Sequence, residues 1–427
     1  MQGALFTFAV LAALLAAQSI ASLRDGFRFL RYLRENVRRE PGNFVPPAAL
    51  IIPCKGVDPG FESNIQQFIN QDYPDYELIL VVASEDDPAC RVLNEIVGVG
   101  LARLSAKPER ATQEMPLQFA PGARSREVKI VIAGHSNVRG EKVNNLLHGL
   151  AAVDPRAEIL AFADADGCPH TDWLRSLVAP LADPAVTVST GFRWYLPGAS
   201  WVSKIRAVWD TSIATLLGEH RKNFAWGGSM ALRVADFKRL EIAERYWART
   251  VSDDYGVTRA VRDAGGWIRF EPRCLVASRE DSSFSDFMKW ANRQIIITRV
   301  YAARLWKLGL LAHGLYCATF ILGVALTVSR AALWPANALI AGALAAILCL
   351  GLLKGRIRAV AARELFPEER ESLARWGANY WRLQPIVPWM MLVNFVTAGF
   401  MRRIEWRGTR YDLVSENEVR VVSRDDS

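Results

Sequence analysis

At 427 residues the chain exceeds one ordinary domain, and a composition 51% apolar yet 22% charged joins a water-facing unit to membrane segments. The net charge of +8 does not point to nucleic acid, because the basic residues gather beside apolar runs: Arg24, Arg28, Arg31, Arg34, Arg38 and Arg39 follow the first, and Lys354, Arg356 and Arg358 a later one. Six scattered cysteines with no CxxC indicate neither a zinc site nor a disulfide framework.

Residues 3–22 are apolar and long enough to cross a bilayer core of about 30 Å, so a transmembrane helix is expected over 1–23, then a basic juxtamembrane linker over 24–47. A signal peptide would carry its arginines before the run; here they follow it, which places residue 24 onward in the cytoplasm. Over 48–284, short β-rich runs alternate with helical ones, the pattern of an α/β, Rossmann-like domain. Ala49–Ile52, Leu78–Val82, Val128–Ala133 and Ile159–Ala163 are unbroken apolar runs, as strands covered on both faces should be. Asp58-Pro59 reads as the cap and first-turn proline of a helix with Phe61, Ile65, Phe68 and Ile69 inward. Val143, Leu146, Leu147 and Leu150 form another buried stripe, with Lys142 and Asn145 off it. Residues 105–127 read as a surface excursion without a function.

An amphipathic interfacial helix is expected over 285–307, with Phe287, Trp290, Ile297 and Tyr301 on one face and Lys289, Arg293 and Arg304 on another. Two transmembrane helices follow within 308–353, turning at Pro335, and then an amphipathic cytoplasmic segment over 354–384. Residues 385–400 would reach only about 24 Å as a helix, so a re-entrant or interfacial helix is preferred to a crossing one. Residues 401–427 read as a basic cytoplasmic tail.

The string FADADG ends a buried strand. Its two carboxylates, Asp164 and Asp166, can hold Mg2+ or Mn2+ against a diphosphate, or else cap the next helix. Asp86 and Asp87 follow another strand, and Asp253 and Asp254 precede a helical run. Ligands of open α/β sheets bind beyond the carboxyl ends of the strands, so these clusters suggest one site, although each acid alone could be a helix cap. Gly227-Gly228 permits close backbone approach to a ligand, or a tight turn. Trp290 could stack on sugar, line a lipid groove or simply pack in a core.

PCKGVDPGFESNI, EDDPA (Glu85–Ala89), EKVNNL (Glu141–Leu146), FADADG, GGSMALR (Gly227–Arg233), DDY (Asp253–Tyr255) and IEWRGTRYDL (Ile404–Leu413) together resemble the ceramide glucosyltransferase-like branch of the family 2 glycosyltransferases. The motifs run in order from about residue 48 to 413. The resemblance implies a GT-A fold, a UDP-sugar donor, a divalent cation and inversion at the anomeric carbon. Lys55 and Asp87, or its neighbour Asp86, would hold the nucleotide, with Gly228 beside it. Lys142 would approach the diphosphate, Arg293 would contact the nucleotide-sugar, Asp164 and Asp166 would serve the metal, and Asp254 would be the base. The family's (Q/R)xxRW motif is incomplete: aligned on Arg293, its arginine and tryptophan become Ile296 and Ile297. Arg299 is a candidate substitute, and Asp253 and Trp290 are candidate acceptor or phosphate contacts, while lipid head groups are the alternative partners of both arginines.

The expected function is metal-dependent transfer of a sugar to a lipid hydroxyl of a ceramide-like, hopanoid or diacylglycerol acceptor. It would be carried out by a hexosyltransferase of the bacterial inner membrane whose catalytic domain faces the cytoplasm. A processive polysaccharide synthase and an idle nucleotide-sugar-binding scaffold are the alternatives.

Overall fold

The computed structural model describes residues 2–99, 112–117, 126–329 and 334–424. In chain order, helix α1 (Gln2–Val37) precedes strand β1 (Ala48–Pro53), helix α2 (Phe61–Ile69), strand β2 (Tyr76–Val82), helix α3 (Pro88–Val99) and strands β3 (Thr112–Leu117) and β4 (Arg126–Ile132). Helix α4 (Glu141–Ala151), strand β5 (Ile159–Ala163), helix α5 (Trp173–Val178), strand β6 (Val186–Tyr195) and helix α6 (Trp201–Ala214) come next. Strand β7 (Ser229–Arg233), helices α7 (Val234–Arg239) and α8 (Asp253–Asp263) and strand β8 (Trp267–Ser278) complete the central part. Helices α9 (Phe284–Tyr301), α10 (Ala303–Val328), α11 (Trp334–Leu365), α12 (Arg370–Trp376), α13 (Asn379–Arg382) and α14 (Val387–Phe400) lead to strands β9 (Arg403–Trp406), β10 (Thr409–Ser415) and β11 (Glu418–Arg424).

The chain divides into an α/β unit (36–193, 220–277 and 403–427) and a helical unit (1–35, 194–219 and 278–402). The main sheet has the order β3-β4-β2-β1-β5-β7-β6-β8, and its β4, β2, β1 and β5 are mutually parallel. Leu50, Ile52, Leu78 and Leu80 pack on one face with Phe61, Ile65, Phe68 and Trp173. The alternate residues Ala49, Ile51, Ile79 and Val81 pack on the other with Val143, Leu146 and Val257. Burial on both faces is why these strands read as continuous apolar runs. Because they are parallel, β1, β2 and β5 end at the same edge, where the chain turns into loops carrying the acids.

Several expectations are corrected in this unit. Helix α2 is capped by Gly60 in the left-handed conformation at φ 82°, not by Asp58, whose carboxylate is engaged elsewhere. Asn145 is buried, donating toward the Val81 carbonyl at 3.5 Å. Much of the expected excursion at 105–127 lies outside the described residues, but 112–117 is an edge strand antiparallel to β4. The segment after residue 402 is no tail: β9, β10 and β11 form an antiparallel sheet with Ile404, Tyr411, Leu413 and Val419 buried.

In the helical unit, three helices are long and apolar enough to cross a membrane: Gln2–Val37, Ala303–Val328 and Pro335–Leu365. Helix α1 does not stop where its apolar run does, because Gly26, Phe29, Leu30, Tyr32 and Leu33 supply a buried face to its arginine-rich half. Pro335 lies in the first turn of α11, a position that tolerates its missing N–H. Phe8, Ala12 and Leu15 pack with Leu326, Ile340 and Ile347. Helix α14, at 14 residues, is short for a span. It is fixed through Asn394, which accepts from Trp209 Nε1 at 3.1 Å and donates to Asn292 Oδ1 at 2.8 Å.

Candidate active site

The loop that leaves β1 carries Lys55, Gly56 and Asp58. Asp87, at the end of β2, accepts from the Gly56 N–H at 2.8 Å and from the Ala89 N–H at 2.9 Å, so it ties two strand ends together while it caps α3. Asp86 is exposed, and its carboxylate takes no part in this tie. Lys55 Nζ lies 2.9 Å from Glu141 Oε1, at the start of α4.

One residue on, Lys142 bridges two acids: its Nζ is 2.8 Å from Asp164 Oδ1, after β5, and 3.1 Å from Asp253 Oδ2, on the first turn of α8. Helix α4 is brought here by Gly140, whose N–H donates to the Thr250 carbonyl at 2.8 Å; a Cβ on Gly140 would lie 2.8 Å from the Val251 backbone. Burial favours the neutral amine of Lys142, but Asp164 and Asp253 more than offset it and hold the ammonium. Asp253 is 2% exposed. Its burial, countered by Lys142 and reinforced by Asp254 and Asp164, pushes its carboxyl up to about 6.

The second cation of the cluster was not legible in the sequence. Arg193, on β6, forks onto Asp166 with contacts of 2.5 and 2.9 Å and reaches Asp164 at 3.5 Å, its guanidinium over the Trp226 ring. Burial opposes ionisation of Asp166, but Arg193 outweighs it and holds the carboxyl at about 2. The glycine pair explains the close packing. A Cβ on Gly227 would fall 2.7 Å from Lys142 Nζ, and one on Gly228 2.6 Å from Asp164 Oδ2, so these glycines make room for the site's own side chains.

Asp254 is half-buried beside Asp253. Its Oδ1 accepts from the Ser252 hydroxyl and from the Tyr255 N–H at 2.7 Å. Ser252, not an aspartate, caps α8. A third cation, Arg407 on the loop between β9 and β10, also absent from the sequence reading, donates from Nη1 to the Lys55 carbonyl at 2.6 Å and from Nη2 to the Asp58 carboxylate. No local pattern reveals Arg193 or Arg407, since their partners are distant in sequence; the motif IEWRGTRYDL was the only hint of the second.

The other candidates lie in the helical unit, on α9. Trp290 packs in an aromatic cluster, its ring 5.1 Å from Trp209 and 5.7 Å from Tyr195, with the buried Arg206 guanidinium 4.5 Å above it. Arg293 is half-buried there, Ile296 and Ile297 are buried, and Arg299 donates to the Met401 carbonyl at 2.9 Å, at the end of α14.

Among the described residues, no group of three or more His, Cys, Asp or Glu is set to hold a metal. Asp164 and Asp166 nevertheless suit Mg2+ or Mn2+. Both are hard oxygen donors, and such ions are commonly held by one or two carboxylates plus the phosphates of a substrate.

Comparison with known proteins bears on the fold and the family. A solved mannosyltransferase from Pyrobaculum calidifontis, in complex with GDP-Man and Mn2+, superposes with a TM-score of 0.51 at 16% identity, over 85% of this chain and 100% of that one. At that identity the likeness concerns the fold, which is GT-A. A ceramide glucosyltransferase from Komagataella phaffii is 30% identical over 112 residues, 25% of this chain; the match spans only 18% of that relative's length. The model of Glycosyl transferase family 21 matches residues 5–98 and 122–419, so with the long apolar helices, strand ends and closing motif all included, the chain belongs to glycosyl transferase family 21.

Proposed function

We propose that this chain moves a sugar from a UDP-sugar onto the hydroxyl of a membrane lipid, with inversion at the anomeric carbon. The observation that carries the reading is the bridge of Lys142 between Asp164 and Asp253, at the strand-end rim shared with Arg193 and Asp166. Such a cluster suits a phosphate chain that arrives with a divalent cation, because Lys142 and Arg193 could turn to the phosphate oxygens while the cation would compensate the carboxylates they leave. Asp87 supports the nucleotide through the β1 loop. Lys142 approaches the diphosphate. Asp164 and Asp166 would hold the divalent cation, which supplies charge neutralisation at the leaving diphosphate.

Proton transfer falls to Asp254. A lipid alcohol is a poor nucleophile at neutral pH, and a carboxylate within hydrogen-bond reach can take its proton as oxygen attacks the anomeric carbon. The Ser252 hydroxyl and Tyr255 N–H hold Oδ1, orienting Oδ2 for the acceptor. Asp253 is suited to anchoring Lys142, being buried against it. Displacement from the face opposite the diphosphate inverts the centre, and positioning supplies much of the acceleration.

The three apolar helices support an integral membrane protein, and the arginines after residue 23 support a cytoplasmic catalytic unit at a bacterial inner membrane. Ceramide-like, hopanoid and diacylglycerol acceptors all present a hydroxyl at the bilayer surface. Mass spectrometry of lipid extracts from cells with and without the protein tests the proposal: a lipid species heavier by a hexose or N-acetylhexosamine is expected only with it. Polymer instead of a discrete glycolipid would select a processive synthase. UDP binding without turnover on any sugar and lipid panel would select a scaffold.

A further inference from the structure

The connection between β9 and β10 is two residues long. Trp406 pairs with Thr409, and the residues between them, Arg407 and Gly408, have φ of 47° and 74°. This is a primed hairpin turn, where Asn, Asp or Gly is favoured because a side chain at positive φ is strained. An arginine is an unfavourable choice for the turn itself. Its guanidinium reaches back to the loop leaving β1, binding the Lys55 carbonyl and the Asp58 carboxylate, in a loop that Asp87 also holds.

The pair with Asp58 is open to solvent, with both side chains about two-fifths exposed (40% and 42%). Ion pairs so open to water contribute little and exchange partners readily. Burial lowers the pKa of Arg407, yet Asp58, and after it Asp166 and Asp164, raise it further. The guanidinium therefore stands within electrostatic reach of the carboxylates that would meet the diphosphate. Meanwhile the position where the resemblance expects an arginine on α9 is the buried Ile296.

We propose that Arg407 is a phosphate-binding arginine of the donor site: when a nucleoside diphosphate sugar enters, the side chain leaves Asp58 and pairs with the diphosphate, making the C-terminal hairpin a strap over the donor. The proposal rests on the nucleotide-sugar reading above. It gives the strained turn a purpose, since the hairpin tip is where a long cation can swing without moving the sheet.

The test uses the purified full chain in nanodiscs with Mn2+, and calorimetric binding of UDP and of uridine. Arg407→Asn is the informative variant, because asparagine suits the turn and should leave the melting temperature equal or higher. It should weaken UDP by about 10- to 100-fold, as expected for losing charge-assisted hydrogen bonds, with uridine within about two-fold. Arg407→Lys should recover part of the loss. Asp58→Asn removes only the resting partner and should leave UDP binding unchanged or tighter. Equal weakening of UDP and uridine in Arg407→Asn, or a loss in Asp58→Asn matching that in Arg407→Asn, would make Arg407 a loop tether and overturn the proposal. Unchanged UDP affinity in Arg407→Asn overturns it as well. If the unmutated chain binds neither UDP nor uridine, the nucleotide-sugar reading itself fails and takes this inference with it.

Discussion

Removing the ammonium that joins Asp164 to Asp253 is the most revealing single change. In Lys142→Met the aliphatic bulk stays, but Asp253, 2% exposed, loses its partner at 3.1 Å. An uncompensated buried charge costs about 3–5 kcal/mol. For a unit of this size that corresponds to a melting temperature lower by roughly 6–20 °C at pH 8. The loss must depend on pH, and its sign is fixed. The Asp253 carboxyl already sits at about 6, above its unfolded value of 3.8. Its contribution to stability is therefore present below the unfolded value and disappears as pH rises through the folded one. Without Lys142 the folded value moves higher still, so acidification toward pH 5 should restore much of the lost stability. Differential scanning fluorimetry at pH 5 and pH 8 measures it. The double variant Lys142→Met/Asp253→Asn should recover most of the stability at pH 8 while remaining inactive. A single variant as stable as the parent at pH 8, or a deficit equally deep at both pH values, would refute the reasoning.

Asp254→Asn should lower kcat by about 10²- to 10⁴-fold while UDP affinity stays within about two-fold, as a lost general base requires; a fall in KM and kcat together, with UDP binding gone, would count against it. Gly228→Ala places a methyl 2.6 Å from Asp164 Oδ2, so donor turnover should fall at least tenfold, and a variant with unchanged kinetics would show that the close approach is dispensable. Glu271, on β8, is pushed up to about 7 by burial despite Arg269 and Arg273 nearby. That stabilisation is present below about pH 4.5 and lost as pH rises through 7, so Glu271→Gln should raise the unfolding free energy at pH 8 by on the order of 1 kcal/mol, seen as a higher melting temperature, and not at pH 4.

What the sequence disclosed follows from the range of the forces involved. The central strands were legible because two covered faces demand apolar residues at every position, and the acids at their ends because strand direction puts them on one rim. The cations opposite them were not. Arg193 and Arg407 meet Asp166 and Asp58 only after the sheet and the C-terminal hairpin have formed, and nothing local marks an arginine for such a partner. In residues 401–427 charge masks a faint alternation, Ile404, Tyr411, Leu413 and Val419, which forms the buried side of a small sheet. The half-helix after residue 23 was missed for a similar reason: arginines dominate its composition, whereas Gly26, Phe29, Leu30 and Leu33 fix its conformation.

The α/β unit is assembled from three stretches of chain, the last of which follows every apolar helix. During synthesis, then, β9 to β11 leave the ribosome after all the long apolar helices. A nascent chain halted or clipped before Arg403 would carry its acids at the strand ends yet lack the guanidinium that arrives with the hairpin. Order of emergence thus makes the C-terminal hairpin the last part of the α/β unit to become available for folding.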